Sequence, residues 1–290
     1  MLFIISLISF IAINLAPNSF FASGELNPNI TPEAIEELKK IYGLDKPLYI
    51  QFFSWVYSIL QLDFGISFTS GEKVKEEILS RIPITLTINI VSMILIFIIS
   101  LYFGIKSAMK KNSIFDRFTN QLSLLSFSMP SFYLALVLVL VFSIKFELFP
   151  IAGLHSVPND GSLNYYLDFA WHLTLPIFII VFGGIGSLIL YIRALTIEIL
   201  KSDYIFFARA RGLDNKKILR YYILPNLYPP VITLLGLSLP GVIGGSVILE
   251  TIFSIDGMGL LFYQSALSHD YPVIMGILII GAFLTLIGNM

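Results

Sequence analysis

Long runs of apolar residues separated by charged segments dominate this 290-residue chain. A membrane-spanning helix needs about 20 mostly apolar residues, and several segments reach or approach that length. These segments are residues 1–16, 84–105, 121–144, 173–192, 227–249 and 272–290. The pattern predicts an all-α polytopic membrane protein with six transmembrane helices.

The first apolar segment, residues 1–16, is short for a bilayer because Pro17 follows it. A cleaved signal peptide is the alternative there. It is not favoured, because a basic region before the apolar run and a clear small-residue cleavage site after it are both missing. We therefore expect a first transmembrane helix at 1–16 whose cytoplasmic start precedes this sequence. The last segment stops abruptly at Met290, so we expect the native chain to continue at both ends.

The segments between the apolar runs differ in charge. Residues 106–120 carry four basic residues and one acidic residue, and residues 193–226 carry seven basic and three acidic residues. Residues 17–83, 145–172 and 250–271 each carry more acidic than basic residues. Because basic loops stay in the cytoplasm, the pattern predicts that both chain termini are cytoplasmic. The three acidic segments are then extracytoplasmic.

Residues 17–83 are predicted to form a helical extracytoplasmic insert between the first two transmembrane helices. Thr31 and Pro32 suit the start of a helix, and Gly43 suits its end. Residues 47–62 are rich in aromatic side chains, which favours a helix lying at the membrane–water interface. We expect the insert to cap the helical bundle. A surface that meets a substrate-delivery protein is the alternative.

The residue composition narrows the possible chemistry. Charged residues make up 13% of the chain, whereas soluble proteins carry about 25%. Cysteine is absent, so disulfides and cysteine metal sites are excluded. His155, His172 and His269 are too scattered in the sequence to indicate a cluster. No metal site and no bound cofactor are therefore predicted for this chain.

The middle of each predicted span lacks Asp, Glu, Lys, Arg and His. Ion-coupled carriers keep such residues at membrane depth, and an intramembrane enzyme would need converging polar groups there. The sequence therefore argues against both classes, while a channel or carrier that works alone remains an alternative. A phosphate-binding G-x-x-x-x-G-K-[ST] motif is also missing. In ATP-driven transport, the nucleotide would consequently bind to another protein.

The basic loop at residues 198–226 contains the run Ala208-Arg209-Ala210-Arg211-Gly212-Leu213-Asp214. Gly212 is expected to end one short helix and Asp214 to cap the next. Pro225 is expected to mark the turn back into the membrane. The small side chains would let the first helix enter a groove on another protein, which predicts a docking loop. The alternative is that the arginines only orient the protein in the membrane.

The loop resembles the "EAA" loop of ABC importer permeases, and nearly the whole chain resembles the membrane subunits of bacterial dipeptide, oligopeptide and nickel ABC importers. The motifs that carry the resemblance are Gly43-Leu44-Asp45-Lys46-Pro47, Asp63-Phe64-Gly65-Ile66-Ser67, Ser128-Met129-Pro130-Ser131-Phe132, Leu173-Thr174-Leu175-Pro176, the run Ala208 to Leu213, Glu250-Thr251-Ile252-Phe253 and Gly257-Met258-Gly259. Three positions depart from the family pattern. Phe206 and Phe207 replace the Glu-Ala of the loop, Pro17-Asn18-Ser19-Phe20 replaces Pro-Gly-Asp-Pro, and Asp256-Gly257 replaces Pro-Gly.

The resemblance implies a type I ABC importer permease fold with the core at residues 84–290, located in the bacterial cytoplasmic membrane. The implied partners are a second homologous permease subunit, two ABC ATPase subunits that bind ATP-Mg, an extracytoplasmic solute-binding protein and the lipid bilayer, without nucleic acid. Peptides are the expected solute, and nickel or a metal chelate is the alternative. The implied ATPase-docking residues are Ala208, Arg209, Ala210, Arg211, Gly212, Leu213, Asp214, Leu224 and Pro225.

The resemblance also implies a solute pathway between two permease subunits. The candidates for its lining are small, polar or helix-distorting residues: Asn89, Ser126, Ser128, Pro130, Ser131, Gly183, Gly184, Gly186, Pro240, Gly241, Gly244, Gly245, Ser246 and Glu250. Close helix packing is the alternative role for the glycines and serines. Pro130 and Pro240 are expected to bend their helices.

Overall fold

The computed structural model describes Leu7, Phe10, Ile11 and residues 46–288. Within this part of the chain most residues are helical and no strand is present. The helices are α1 Leu48–Leu60, α2 Val74–Met109, α3 Ile114–Ser128, α4 Ser131–Leu138, α5 Leu163–Leu200, α6 Asp203–Ala210, α7 Asn215–Ile218, α8 Leu224–Gly244, α9 Val247–Ile252, α10 Met258–Leu267 and α11 Tyr271–Gly288. A π-helical turn follows α4 at Val139–Lys145, and another follows α7 at Leu219–Ile223. The predicted all-α class is confirmed for these residues.

The chain divides into two compact units. The larger unit comprises Leu86–Val242 and Ile248–Ile255. The smaller unit comprises the described residues of Met1–Thr85, Ile243–Val247 and Asp256–Met290. Each unit has its own buried apolar side chains, so each is considered separately below.

The smaller unit is built around an apolar cluster at the start of α2. Its buried members are Val74, Ile78, Met258, Leu261 and Val273. Gly276 lets α11 approach α2 closely, because a Cβ at this position would lie 2.9 Å from Val74 Cγ1. The backbone N–H of Met258 donates to Thr85 Oγ1 at 2.9 Å. This hydrogen bond holds the start of α10 against α2.

Helix α2 begins at Val74, well before the predicted span at 84–105. Four charged residues interrupt the stretch 74–83, so its mean hydropathy is too low to mark a span. Val74, Ile78 and Ile82 nevertheless share one helical face, and this face packs in the cluster of the smaller unit. Tertiary packing therefore extends the helix beyond the apolar run.

The larger unit is centred on α5. Its buried residues Val181, Ile185 and Ile189 pack against Ile96, Ile99 and Phe103 of α2. Further along α5, Ile192 packs with Leu227 and Val231 of α8. Gly104 permits the close approach of α2, because a Cβ there would lie 2.7 Å from Ile192 Cγ2. The longest apolar helices of the unit therefore meet side by side.

The predicted span at 121–144 is not one straight helix. Helix α3 ends at Ser128, and the following segment from Ser131 to Lys145 is bent by 98° relative to it. Met129 is extended with ψ of 119°, as expected for a residue that precedes proline. Pro130 was predicted to bend a helix, and it instead separates two helices.

The predicted span at 227–249 is also interrupted. Helix α8 ends at Gly244, and α9 starts at Val247. Between them Gly245 has φ of +66°, a left-handed conformation that interrupts a right-handed helix and favours glycine. By length and composition, two of the described helices, α2 and α5, can cross a membrane alone, and the bent pair after Ile114 qualifies as a third when taken as one span.

The described part of the predicted insert contains helix α1 and the first ten residues of α2. Helix α1, Leu48–Leu60, confirms the helix predicted at 47–62. Its Phe52 is buried and packs edge-on against Phe10 with ring centroids 5.4 Å apart. The helix predicted to start at Thr31 lies outside the described residues.

Candidate functional site

The first short helix of the loop at 198–226 ends in a pair of hydrogen bonds. The backbone N–H of Gly212 donates to Arg209 O at 2.9 Å, and that of Leu213 donates to Ala208 O at 3.2 Å. Gly212 has φ of +79°. These features define a Schellman motif, in which a left-handed residue directly follows the C-cap. The predicted stop at Gly212 is confirmed.

The second helix of the loop starts as predicted but continues further. Asp214 is its N-cap, and Asp214 Oδ1 accepts from the backbone N–H of Lys217 at 2.9 Å. The backbone then stays helical through the π-helical turn and into α8. Pro225, next to Leu224, therefore lies in the first turn of α8 and does not mark a turn back. The wider π-helical turn precedes it because proline lacks an N–H and crowds the preceding carbonyl groups.

The two helices of the loop pack on each other through a small apolar cluster. The buried members are Ile205, Ala208, Ile218 and Ile223, and Ile199, Leu200 and Leu213 pack against them. Ala208 is 1% exposed, so it closes the hairpin and does not offer its methyl group to a partner. The expectation of an exposed small residue is wrong at Ala208, whereas Ala210 is exposed.

The outer side of α6 carries the aromatic–basic face, defined as Phe206, Phe207, Arg209, Ala210 and Arg211. Phe206 is 70% exposed and Phe207 is 61% exposed, and both arginines are exposed. Burying a phenylalanine side chain is worth about 1.5–3 kcal/mol, so two neighbouring exposed rings favour a covering surface. The sequence interpretation noted these phenylalanines only as departures from the family pattern. Their position inside a charged loop was the signal that could have identified them.

The predicted pathway residues at the α3–α4 bend are accessible. Ser128, Pro130 and Ser131 are exposed where the chain changes direction. Ser126 is buried, and its Oγ donates to the backbone carbonyl oxygen of Phe182 in α5. Ser126 therefore joins two helices, which is the packing role that was left open for it.

The predicted pathway glycines of α5 differ in their surroundings. A Cβ at Gly184 would lie 2.5 Å from Ile96 Cδ1, and a Cβ at Gly186 would lie 2.5 Å from Ser123 O. A Cβ at Gly183 would meet nothing within 4 Å. The geometry favours close helix packing at Gly184 and Gly186, and a pathway role stays a prediction.

The remaining pathway candidates lie in different elements. Asn89 is half-buried in α2, and Glu250 is buried in α9, where its carbonyl oxygen accepts from the backbone N–H of Ile255 at 2.8 Å. Helix α8 continues through Pro240 to Gly244, and Gly241 faces open space. Gly245 and Ser246 form the break between α8 and α9. Solute contact at all of these positions remains a prediction.

Two of the histidines that are distant in sequence converge in the structure. His155 Nδ1 lies 3.6 Å from Asp168 Oδ2, and His172 Nδ1 lies 3.4 Å from Asp168 Oδ1. Ser156 Oγ lies 3.2 Å from His172 Nε2. The interpretation of these two histidines as scattered was wrong, because the loop before α5 folds back onto its first turns. Among the described residues, no group of three His, Cys, Asp or Glu side chains could hold a metal ion.

Comparison with known proteins gives a consistent result along the chain. The family described as "Binding-protein-dependent transport system inner membrane component" matches residues 97–290. The family described as its N-terminal component matches residues 1–89.

Several curated relatives cover most of the chain. It is 36% identical to the oligopeptide transport system permease protein AppB of Bacillus subtilis, over 99% of this chain and 90% of that protein. It is 33% identical to the dipeptide transport system permease protein DppB of Lactococcus lactis, over 99% and 89%. It is 30% identical to the metal-staphylopine import system permease protein CntB of Staphylococcus aureus, over 90% and 80%. The chain therefore belongs to the family of inner membrane components of binding-protein-dependent transport systems.

Proposed function

We propose that this chain is the membrane-spanning permease subunit of an ABC importer that moves dipeptides or oligopeptides into the cytoplasm. A separate ATPase drives transport by docking on the loop at 198–226. The aromatic–basic face of α6 is the observation that carries the docking proposal. Family membership supports the transport role, and the names of the relatives support peptides as the solute.

The structure of the loop suits mechanical coupling. Its two helices share a buried cluster, and Ile199 and Leu200 at the end of α5 pack against this cluster. A displacement of α6 is therefore transmitted to the 38-residue helix α5, because the packed cluster connects the two helices rigidly. The exposed rings and arginines call for a partner groove that is apolar in its centre and acidic at its rim. Asp214, Leu224 and Pro225 would contribute to docking indirectly, because they set the conformation of the hairpin that presents α6.

The proposed topology has six transmembrane helices with both termini in the cytoplasm. The basic segments 106–120 and 193–226 support this orientation. Helices α2 and α5 would span the bilayer, with lengths of about 54 and 57 Å, and the bent pair after Ile114 would form a broken span. The exposed Tyr49, Phe53 and Tyr57 of α1 suit an extracytoplasmic position at the membrane interface.

The partners complete the proposal. A second permease subunit, two ATPase subunits and an extracytoplasmic solute-binding protein form the transporter with this chain. The chain itself has no enzymatic role, and ATP-Mg binds to the ATPase subunits. Residues 1–16, 17–83 and 84–290 serve as the first transmembrane helix, the insert and the permease core.

Import of a metal chelate is the second candidate function. The similarity to CntB, whose name refers to metal-staphylopine import, is the observation that favours it. Both functions use the same proposed pathway, in which exposed Ser128, Pro130 and Ser131 are the first positions to test. The affinities of the system's solute-binding protein for peptides and for nickel chelates distinguish the two functions. Tighter binding of peptides supports peptide import, and tighter binding of nickel chelates supports import of a metal chelate.

The docking proposal is tested by placing charge on the aromatic–basic face. Phe206→Asp and Phe207→Asp should leave the hairpin folded, because both side chains are exposed, and should remove the ATPase subunits from the purified transporter. Ile114→Asp is the matched control, since Ile114 is 87% exposed in the other basic segment. Co-purification of the ATPase subunits is the measurement. Retention of the ATPase in the phenylalanine variants would contradict docking at this face.

Solute uptake by the purified chain without nucleotide would instead favour an independent channel or carrier.

A further inference from the structure

A partly buried ion pair joins α3 to α5 near the loop at 198–226. Asp116, in the first turn of α3, is 2% exposed. Arg193 Nε in α5 donates to Asp116 Oδ1 at 2.6 Å, and Arg193 Nη2 donates to Oδ2 at 2.9 Å. A two-donor arginine–carboxylate pair fixes orientation as well as distance. It therefore opposes both rotation and sliding of one helix along the other.

The same carboxylate accepts hydrogen bonds from three further groups. Ser107 Oγ at the end of α2 donates to Oδ1, the backbone N–H of Asn112 donates to Oδ2 at 2.8 Å, and Asn120 Nδ2 donates to Oδ1 at 3.1 Å. These donors belong to α2, to the turn after it and to α3. Asp116 is therefore the common acceptor that holds three helices of the larger unit together.

A second contact joins α3 and α5 further from the loop. At Gly186 of α5 the backbone of Ser123 is so close that a Cβ would lie 2.5 Å from its carbonyl oxygen. Ser123 follows Asp116 by seven residues on α3, whereas Gly186 precedes Arg193 by seven residues on α5. The helices are therefore antiparallel, and the ion pair and the glycine contact lie about 10 Å apart along them.

The two joined helices connect the loop with the bend. Helix α5 ends at Leu200, which packs against the buried cluster of the loop at 198–226. Helix α3 ends at Ser128, where the chain turns by 98°. Movement of the loop can therefore pass along α5, across the ion pair into α3, and on to the bend that carries three predicted pathway residues.

We infer that Asp116 and Arg193 are positioning residues that make α3 move with α5 as one rigid body during transport. This inference rests on the proposed function of the loop. The glycine contact brings the backbones together, and beside it Ser126 Oγ donates one hydrogen bond to the carbonyl oxygen of Phe182. One hydrogen bond does not fix the orientation of the two helices, whereas the two-donor ion pair does. Without it the ATPase still docks on the loop, but its movement no longer reaches the bend.

The test uses the complete transporter, with cysteine-free partner subunits, in proteoliposomes. This chain contains no cysteine, so Gln121→Cys on α3 and Glu198→Cys on α5 provide a unique pair of exposed sites for spin labels. The distance between the labels is measured by electron paramagnetic resonance without nucleotide and with ATP and vanadate. Retention of the ATPase subunits is measured on the same samples.

The test variants separate positioning from simple instability. Asp116→Asn combined with Arg193→Gln removes the ion pair without leaving one buried charge unpaired, which would be strongly destabilising. Arg117→Gln is the matched control, because it removes one exposed charge from the adjacent residue. We expect one narrow distance in both nucleotide states for the control and the parent. We expect a broadened or shifted distance in the double variant once ATP and vanadate are added.

The possible outcomes have distinct meanings. A narrow and unchanged distance in the double variant, with the ATPase bound, overturns the positioning inference and leaves the proposed function intact. Loss of the ATPase from the double variant but not from the control also overturns it, because positioning residues leave docking unaffected. If the ATPase subunits stay bound in Phe206→Asp and Phe207→Asp, the proposed docking function is overturned instead.

Discussion

Replacing Gly212 tests whether the closing turn of α6 keeps the loop in its coupling conformation. Gly212 has φ of +79°, a left-handed conformation that costs other L-residues about 1–2 kcal/mol. A Cβ at this position would meet no atom within 4 Å, so the cost is conformational and not steric. The turn carries both hydrogen bonds that end α6. The substitution therefore destabilises the hairpin with its turn closed and leaves the opened hairpin unaffected.

A cost of about 1–2 kcal/mol changes a two-state population by roughly five- to thirty-fold. In Gly212→Val we expect the amide hydrogen of Leu213, which donates to Ala208 O, to exchange with solvent faster by that factor. Hydrogen–deuterium exchange with mass spectrometry on the membrane-inserted protein is the assay. Transport should become uncoupled from ATP hydrolysis in the complete importer, while membrane insertion is retained.

Two variants serve as controls for Gly212→Val. Gly212→Asn should behave nearly as the parent, since asparagine tolerates the left-handed conformation better than other residues. Gly65→Ala imposes the same kind of strain elsewhere, because Gly65 has φ of +81° and also faces open space. Exchange of Leu213 at the parent rate in Gly212→Val, or equal acceleration by Gly65→Ala, would refute the reasoning.

Two further predictions concern the fold of the larger unit. Ala208→Leu should lower the unfolding temperature in detergent, since overfilling a packed cluster costs about 1–3 kcal/mol, whereas Ala210→Leu should leave it nearly unchanged because Ala210 is exposed. Equal effects would contradict the buried position of Ala208. Gly186→Ala should also lower the unfolding temperature, because the new Cβ would lie 2.5 Å from Ser123 O, while Gly183→Ala has open space and should be tolerated. Tolerance of both glycine substitutions would exclude a backbone contact at Gly186.

The loop at 198–226 shows why some features could be predicted from the sequence. Gly212 and Asp214 act on hydrogen bonds that reach no further than five residues along the chain. Their effect depends on backbone conformation and on the nearest side chains, so residue type and spacing were sufficient. The exposed or buried state of Ala208 and Phe206 was not predictable in this way. It depends on how α6 is rotated against α7, because Ala208 and Phe206 lie on opposite faces of α6 and the packing decides which face is buried.

The helix boundaries show the same division. Apolar runs correctly indicated the positions of α2 and α5, because the hydrophobic length is a property of the segment itself. They missed the start of α2 at Val74, where burial of Val74 and Ile78 compensates for the four charged residues of the stretch 74–83. Pro130 indicated a disturbance in the third segment. Its extent, a 98° bend, was visible only in the structure.

The sequence by itself therefore determined the helical class, the apolar segments, the charge of the loops and the local signals that start and end short helices. Only the tertiary structure decided which distant residues meet, as with Asp116 and Arg193, which are 77 positions apart, or His155 and His172 around Asp168. The physical reason is that local conformation follows from nearby atoms. A contact between helices depends on their relative register and rotation, which many side chains set together.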